Sequence, residues 1–346
     1  KDKRPVTYCH FVPDSRIWHD KLDIAPVLCK CGAMAYIVDD ATHHHGVKYR
    51  MLEFPFMQVD AFTTQALAGN PCAIVFAADT LTDAQMQQIA LEMNLSETAF
   101  VLKSDKADFR ARYFTPAAEI PLAGHPTIAT IHALLERDDI QFSGSQHTIQ
   151  LELQAGVIPV DIVREDDRVH ITMTQNRPQF LNTYDPAEIM PAMGLTPDDV
   201  LAGYPIQTVS TGTPHLMIPL NSLDTLKRVA INAALYRPLR EKHDFFGGPH
   251  LFCLEGITPE GTTFARHPNI PPGVHEDPFT GSSTGSMASY LWHYGLLEDP
   301  VFIAEQGHWM NRPGIAQVEI IGARDNIEAV RVGGEAVTIV RGTLYL

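Results

Sequence analysis

Apolar and polar positions follow no sustained period before residue 50 and a regular one from Phe54 onward. "FPFMQVDAF" and "PCAIVFA" read as strands, with the loop "TTQALAGN" between them. "TDAQMQQIALEMN" places Met86, Ile89, Ala90 and Met93 on one helical face, behind Thr82 or Asp83 as cap. "ETAFVLK" and "DFRARYFTP" are again strands, and "GHPTIATIHALLERD" is a helix with proline in its first turn. "TIQLELQAGVIPVDIVRED" and "RVHITM" alternate as strands do.

The same order then returns. "IQTVSTGTPHLMIPL" repeats strand, loop and strand, with Gly212-Thr213-Pro214 echoing Gly69-Asn70-Pro71. "SLDTLKRVAINAALYRPL" predicts one helix, and "PHLFCLEG" and "TTFARHP" predict strands. "GSSTGSMASYLWHYGLL" is a glycine-opened helix like the one at Gly124, and the chain closes in strands. A duplicated α+β unit implies two lobes around a central cleft, where ligand sites commonly lie.

Residues 1 to 53 read as a non-homologous extension. Cys9, Cys29, Cys31, His10, His19 and His43 to His45 are zinc-ligand types. The C-x-C spacing without a second pair fits such a site poorly, so no metal is expected. Five cysteines in 346 residues are no disulfide framework, and a reducing cytoplasm is the default. A net charge of −15 argues against nucleic-acid and anionic-membrane surfaces. No apolar run approaches a membrane span.

The chemistry concentrates at the two glycine-opened helices. Helix N-termini carry unpaired N–H groups and partial positive charge, and glycine lets a ligand come close to the backbone. "AGHPT" and "TGSSTG" therefore read as two anion-receiving starts, and if they face each other a carboxylate is the natural guest. The bland alternative is two well-capped helices and nothing more, and duplication at matching places favours the anion-receiving reading. Neither matches a phosphate loop or a dinucleotide fingerprint, so no nucleotide cofactor is expected. Glu97, in "NLSETAF", is a surface or capping acid by pattern alone, or a partly buried proton carrier. His125 at a helix start is usually a structural hydrogen bonder, and Asp277 in "EDP" an ordinary turn aspartate. Cys72 and Cys253 sit in apolar strands, where inert thiols are the rule.

Five ordered motifs, "VDAFT…AGNPCAIV", "MNLSETAFV", "RYFTPAAEIPLAGHPTIAT", "EDPFTGSSTG" and "EQGHWMNRPG", resemble the PhzF-like proteins, named for phenazine biosynthesis. The resemblance runs from about Phe54 to Leu346. It implies the diaminopimelate-epimerase-like fold, an α+β class of two pseudo-symmetric lobes, each a mostly antiparallel sheet around a central helix. The lobes would cover 54–172 and 173–346, the last strands packing on the first lobe. It implies a cofactor-independent isomerase in which Glu97 is the general acid/base, assisted by Asp277 and His125. Gly124, Gly281, Ser282 and Asn70 would bind a small carboxylate substrate, and a homodimer follows by analogy. Epimerase relatives use two opposed cysteines; here the helix starts carry His125 and Ser282, so a two-thiol racemase is not expected. An amino-acid epimerase using Glu97 with Asp277, and a member that only binds, stand as alternatives. Arg112 and Arg266 lie at corresponding strand ends, and Gln306, Arg312 and Gly314 match a family pattern whose role the sequence does not supply.

Overall fold

The computed structural model describes residues 51–270 and 276–346. The N-terminal extension and its cysteines and histidines lie outside them, apart from the residues at the start of the first strand. The first series of elements is β1 (Glu53–Ala61), β2 (Asn70–Val75), α1 (Asp83–Met93), β3 (Glu97–Leu102), β4 (Phe109–Phe114), β5 (Glu119–Ile120), α2 (Gly124–Glu136), β6 (Gln146–Leu153), β7 (Gly156–Glu165) and β8 (Arg168–Gln175). The second is β9 (Gln179–Tyr184), α3 (Pro186–Ile189), β10 (Ile206–Ser210), β11 (Pro214–Pro219), α4 (Leu223–Arg228), α5 (Ala233–Lys242), β12 (His250–Cys253), β13 (Thr263–Pro268) and β14 (Glu276–Asp277). It ends with α6 (Gly281–His293), β15 (Val301–Gln306), β16 (Gly314–Ala323), β17 (Asn326–Gly334) and β18 (Ala336–Tyr345).

The strand pairings repeat. β1–β2 is antiparallel, β2–β3 parallel, β3–β4 antiparallel and β4–β6 parallel, followed by the antiparallel run β6–β7–β8. In the same order β10–β11 is antiparallel, β11–β12 parallel, β12–β13 antiparallel and β13–β15 parallel, followed by β15–β16–β17. The short β5 and β14 pair with β4 and β13 at matching places. β8 and β17 join the two lobes, β9 adds to β10, and β18 returns from the end of the chain to β1.

Each lobe wraps a helix. α2 packs on β1, β2, β3, β8 and β18, and α6 on β10, β11, β16 and β17. A helix enclosed by strands must be apolar or small all round. Accordingly Ile128, Ala129, Ile131, Ala133 and Leu134 of α2 and Met287, Ala288, Tyr290 and Leu291 of α6 are buried in one shared core. Fully burying one such large apolar side chain contributes about 1.5–3 kcal/mol. The outer helices cover the other faces: α1 on the β2–β3 side, and α4 and α5 in a separate cluster around Leu216, Tyr236 and Phe264. Among the described residues, no helix is long and apolar enough to cross a membrane.

The helix expected over 222–239 is two helices. Ser222 caps the first, and Val229 leaves helical geometry. Asn232 then accepts from the N–H groups of Ala234 and Leu235 and starts the second. Arg266 stabilises the break by donating to the carbonyls of Leu226 and Val229. A side-chain cap and a distant guanidinium together outcompete an unbroken apolar period.

Candidate active site

Among the described residues, four α-helices begin with a side-chain cap: Thr82, Asp185, Ser222 and Asn232 each accept from a first-turn N–H. α2 and α6 do not. Their starts meet, since a Cβ on Gly124 would lie 2.9 Å from Gly281 Cα and one on Gly281 3.2 Å from Gly124 Cα. At Gly124 a side chain would force the backbones apart, and at Gly281 it would be tight against Gly124 and the Phe62 ring. The first-turn N–H groups and positive ends of both helices therefore converge. The strips leading into them are pinned alike. Arg112 donates in bidentate fashion to Glu119 at 2.8 and 2.7 Å, and Arg266 to Glu276 at 2.8 and 2.7 Å. These two arginines lie not at strand ends but at matching positions inside β4 and β13, and they anchor the approach to each helix in the geometry that suits guanidinium and carboxylate.

Glu97 opens β3, in register with Cys72 of β2. Its side chain is 17% exposed, and its Oε2 lies 3.2 Å from His125 Nε2, off hydrogen-bond alignment. Burial first, and the charge of Asp277 second, hold its carboxyl well above the ordinary range. Burial takes His125 the other way, to about 3, so its imidazole is neutral at ordinary pH. Asp277 sits on β14 and is better solvated by the protein. Its Oδ1 accepts from Asn70 Nδ2 and Ser96 Oγ, each at 2.8 Å, and its Oδ2 accepts from Thr280 Oγ1 at 2.6 Å. Burial still raises its pKa, against these three hydrogen bonds. Of the two neighbouring carboxyls, Asp277 is the one equipped to hold charge and Glu97 the one equipped to hold a proton.

The cleft beside them measures about 390 Å³. Its lining includes polar residues, Glu97, Asp277, Ser282, Ser96 and Thr280, and apolar ones, Ile120, Leu122, Pro214, Phe246 and Ile270. Gly124, Gly281, His125 and Asn70 stand behind this lining. Asn70 is fully buried, with its amide directed at Asp277, Phe279 O and His125 Nδ1. That leaves His125 Nε2 as the ring nitrogen turned to Glu97. Among the described residues no group of three or more His, Cys, Asp or Glu side chains is set to hold a metal ion.

Residues whose part the sequence did not reveal complete the site. Gln306 donates to Asp277 O at 2.7 Å and accepts from Thr280 N–H at 3.1 Å, fixing the turn between β14 and α6. Arg312 donates to Asp60, Ala68 O and Gly69 O, which holds the loop that delivers Asn70. A Cβ on Gly314 would meet the Phe279 ring at 2.6 Å. The motif containing these residues was visible, but its partners are far away in sequence. His215, 3.0 Å from Ser282 Oγ, carried no sequence signal beyond lying where Cys72 lies in the first lobe.

Residues 59–342 match the family of phenazine biosynthesis-like proteins. The uncharacterized isomerase YfhB of Bacillus subtilis is 37% identical, over 83% of this chain and 97% of its own length. The trans-2,3-dihydro-3-hydroxyanthranilate isomerase of Pseudomonas fluorescens is 35% identical, over 84% of this chain and 99% of its own. The crystal structure of a PhzF-family phenazine biosynthesis protein of Bacillus anthracis superposes with a TM-score of 0.76 at 32% identity, covering 86% of this chain and all of that one. With its duplicated lobes, its facing helix starts and a match along nearly all of the described residues, the chain belongs to the phenazine biosynthesis-like family.

Proposed function

We propose that the chain is an isomerase of a small carboxylic acid, and that Glu97 alone carries the migrating proton. The observation that supports this most is the contrast between the two carboxyls. Asp277 accepts three hydrogen bonds, whereas Glu97 Oε2, a few ångströms from a neutral histidine, accepts none among the described residues, and the Glu97 carboxyl is pushed well above its ordinary pKa. A carboxylate of raised pKa is a stronger base than free glutamate, and once protonated it is still able to give the proton back.

The substrate carboxylate would lie at the convergent starts of α2 and α6, within reach of Ser282 and the uncapped N–H groups. Those dipoles favour negative charge and so also stabilise the charge that develops as a carbon gives up its proton. Glu97, in the cleft lining, takes that proton. His125 Nε2 beside it provides a neutral polar partner. Asp277 stays ionised and favours the protonated form of Glu97, which exchanges with solvent and delivers a proton to a second carbon on the same face. No atom is gained or lost: the product is the substrate with one hydrogen moved and the double bond displaced. The apolar wall of Ile120, Leu122 and Ile270 suits a ring.

The test is proton NMR in D₂O with trans-2,3-dihydro-3-hydroxyanthranilate and a panel of small amino and hydroxy acids. Deuterium entering at a carbon other than the one deprotonated, and lost in Glu97→Gln, is the expected result. An active Glu97→Gln protein excludes the role given to Glu97. Deuterium confined to one stereocentre favours the epimerase reading, for which the second carboxyl facing the cleft, Asp277, is the relevant observation.

A further inference from the structure

The second lobe brings three histidines together behind the cleft. His215 on β11 and His267 on β13 line it, and His250 on β12 is fully buried behind them. Their rings are 5.8 Å apart for His215 and His267, and 5.7 Å for His250 and His267. Burial pushes all three below the ordinary histidine range, and each neighbour would oppose a proton added to the next. His215 is therefore a neutral ring with one proton to place.

Its two nitrogens have different surroundings. Nε2 lies 3.0 Å from Ser282 Oγ, while Nδ1 is buried with no hydrogen-bond partner among the described residues. A serine hydroxyl has one proton to give and two lone pairs. If Ser282 donated to Nε2, the ring proton would sit on Nδ1 as a buried N–H without an acceptor. An orphaned N–H is rarer in proteins than an orphaned acceptor, because it forfeits the only hydrogen bond it can donate. With the proton on Nε2, only a lone pair is left over at Nδ1. Ser282 Oγ has no other hydrogen-bond partner among the described residues, and it faces the cleft.

We propose that His215 is a positioning residue: its Nε2–H donates to Ser282 Oγ and turns the serine hydroxyl proton into the cleft, ready for an anionic group of the ligand. The two lobes place their histidines differently. In the first lobe the histidine is the second residue of the helix, His125 on α2. In the second lobe the hydroxyl is the second residue of the helix, Ser282 on α6, and the strand supplies the histidine. Each lobe thus brings one imidazole to its helix start. The ligand half of the proposal rests on the carboxylate reading above; the tautomer half does not.

The experiment is long-range ¹H–¹⁵N correlation on the full chain labelled with ¹⁵N-histidine, at pH 7 and without ligand, His215 being identified by the signals lost in His215→Asn. The expected pattern is a neutral ring protonated at Nε2. A ring protonated at Nδ1, or an imidazolium, overturns the proposal. Ser282→Ala should move the His215 Nε2–H proton upfield as it loses its acceptor, and an unmoved proton likewise overturns it. In excess anthranilate, the wild-type Nε2–H should move downfield, because a hydroxyl that donates to an anion accepts more strongly. An unmoved proton there overturns the ligand half alone. None of these readouts needs turnover, so an inactive protein leaves them decidable.

Discussion

Asn70 Nδ2 lies 2.8 Å from Asp277 Oδ1, joining residues 207 positions apart across the two lobes. The same amide reaches Phe279 O at 2.7 Å and His125 Nδ1 at 3.0 Å. With its two protons Asn70 ties the carboxylate to the turn before α6, and its amide nitrogen lies beside the helix-start histidine. It acts on the ionised form of Asp277, because an N–H donor stabilises charge on oxygen.

Asn70→Ala should slow solvent-proton exchange about ten- to a hundredfold. A hydrogen bond to a charged group is worth about 1.5–3 kcal/mol, and about 1.36 kcal/mol is tenfold in rate. The pH profile adds a sign. The bond from Asn70 lowers the Asp277 pKa, so its loss raises that pKa and moves the acid limb of the profile to higher pH. A profile that falls in amplitude without moving would show that Asn70 acts on something other than Asp277.

Glu97→Gln should make the protein more stable as it becomes inactive. The folded-state pKa of Glu97 is raised, so the wild type is favoured while this carboxyl keeps its proton. That advantage is complete below the unfolded value of about 4.3 and is lost as pH rises through the folded value. Glutamine has no proton to lose. The melting temperatures of the two proteins should therefore agree near pH 4 and diverge with increasing pH, the variant higher, until Glu97 is fully ionised. Each tenfold change in proton affinity is worth about 1.4 kcal/mol. Parallel melting curves from pH 4 to 9 would remove burial as the cause of the raised pKa.

Gly124→Ala should cost both stability and activity. Alanine within a helix normally gains up to about 1 kcal/mol over glycine. Here the methyl group would meet backbone, Gly281 Cα at 2.9 Å and Gly281 C at 3.1 Å. Overpacking of that kind costs about 1–3 kcal/mol, and it pushes the two helix starts apart. The expected result is a lower unfolding midpoint in urea with exchange reduced more than tenfold. Gly342→Ala, where a Cβ meets nothing within 4 Å, should leave both unchanged.

The duplication was legible in the sequence because both copies kept their punctuation. Gly69-Asn70-Pro71 and Gly212-Thr213-Pro214 do run into matching strands, β2 and β11, and Gly124 and Gly281 do open the two central helices. The facing of those helices and the proximity of Glu97 to Asp277 were expected only through the repeat and the family resemblance. Periodicity reports which side of an element is apolar, not which distant element meets it. Arg112 and Arg266 show the limit. Their equivalence was legible, though they lie inside their strands rather than at the ends, but their acceptors Glu119 and Glu276 required the β4–β5 and β13–β14 pairings. The helix over 222–239 was misread because its break depends on Asn232 and on Arg266, which lies 37 residues beyond Val229.

Arg312→Met tests how the Asn70 loop is held. Asp60 is 1% exposed and accepts from Arg312 Nη2 and from Leu67 N–H. Burial raises its pKa, and Arg312 opposes this. Removing the guanidinium leaves a buried carboxylate unpaired, which costs about 3–5 kcal/mol; the quarter-exposed Arg312 side chain argues for the lower end. The Asp60 pKa then rises further. Relative to wild type, the variant should therefore lose stability more steeply as pH increases, since its folded state holds the proton to higher pH. Urea midpoints should be closer together at pH 4.5 than at pH 7.5. The carbonyls of Ala68 and Gly69 lose their donor at the same time. A Cβ on Gly69 would lie 2.1 Å from Ala61 O, and its φ is +57°, so the loop has a single narrow conformation to lose. Exchange activity should fall with stability, because Asn70 is the next residue. Arg312→Lys, which keeps the charge but not the fork, should fall between the two proteins in both measurements. Equal midpoint losses at both pH values would mean that packing, not the Asp60 charge, is what Arg312 supplies.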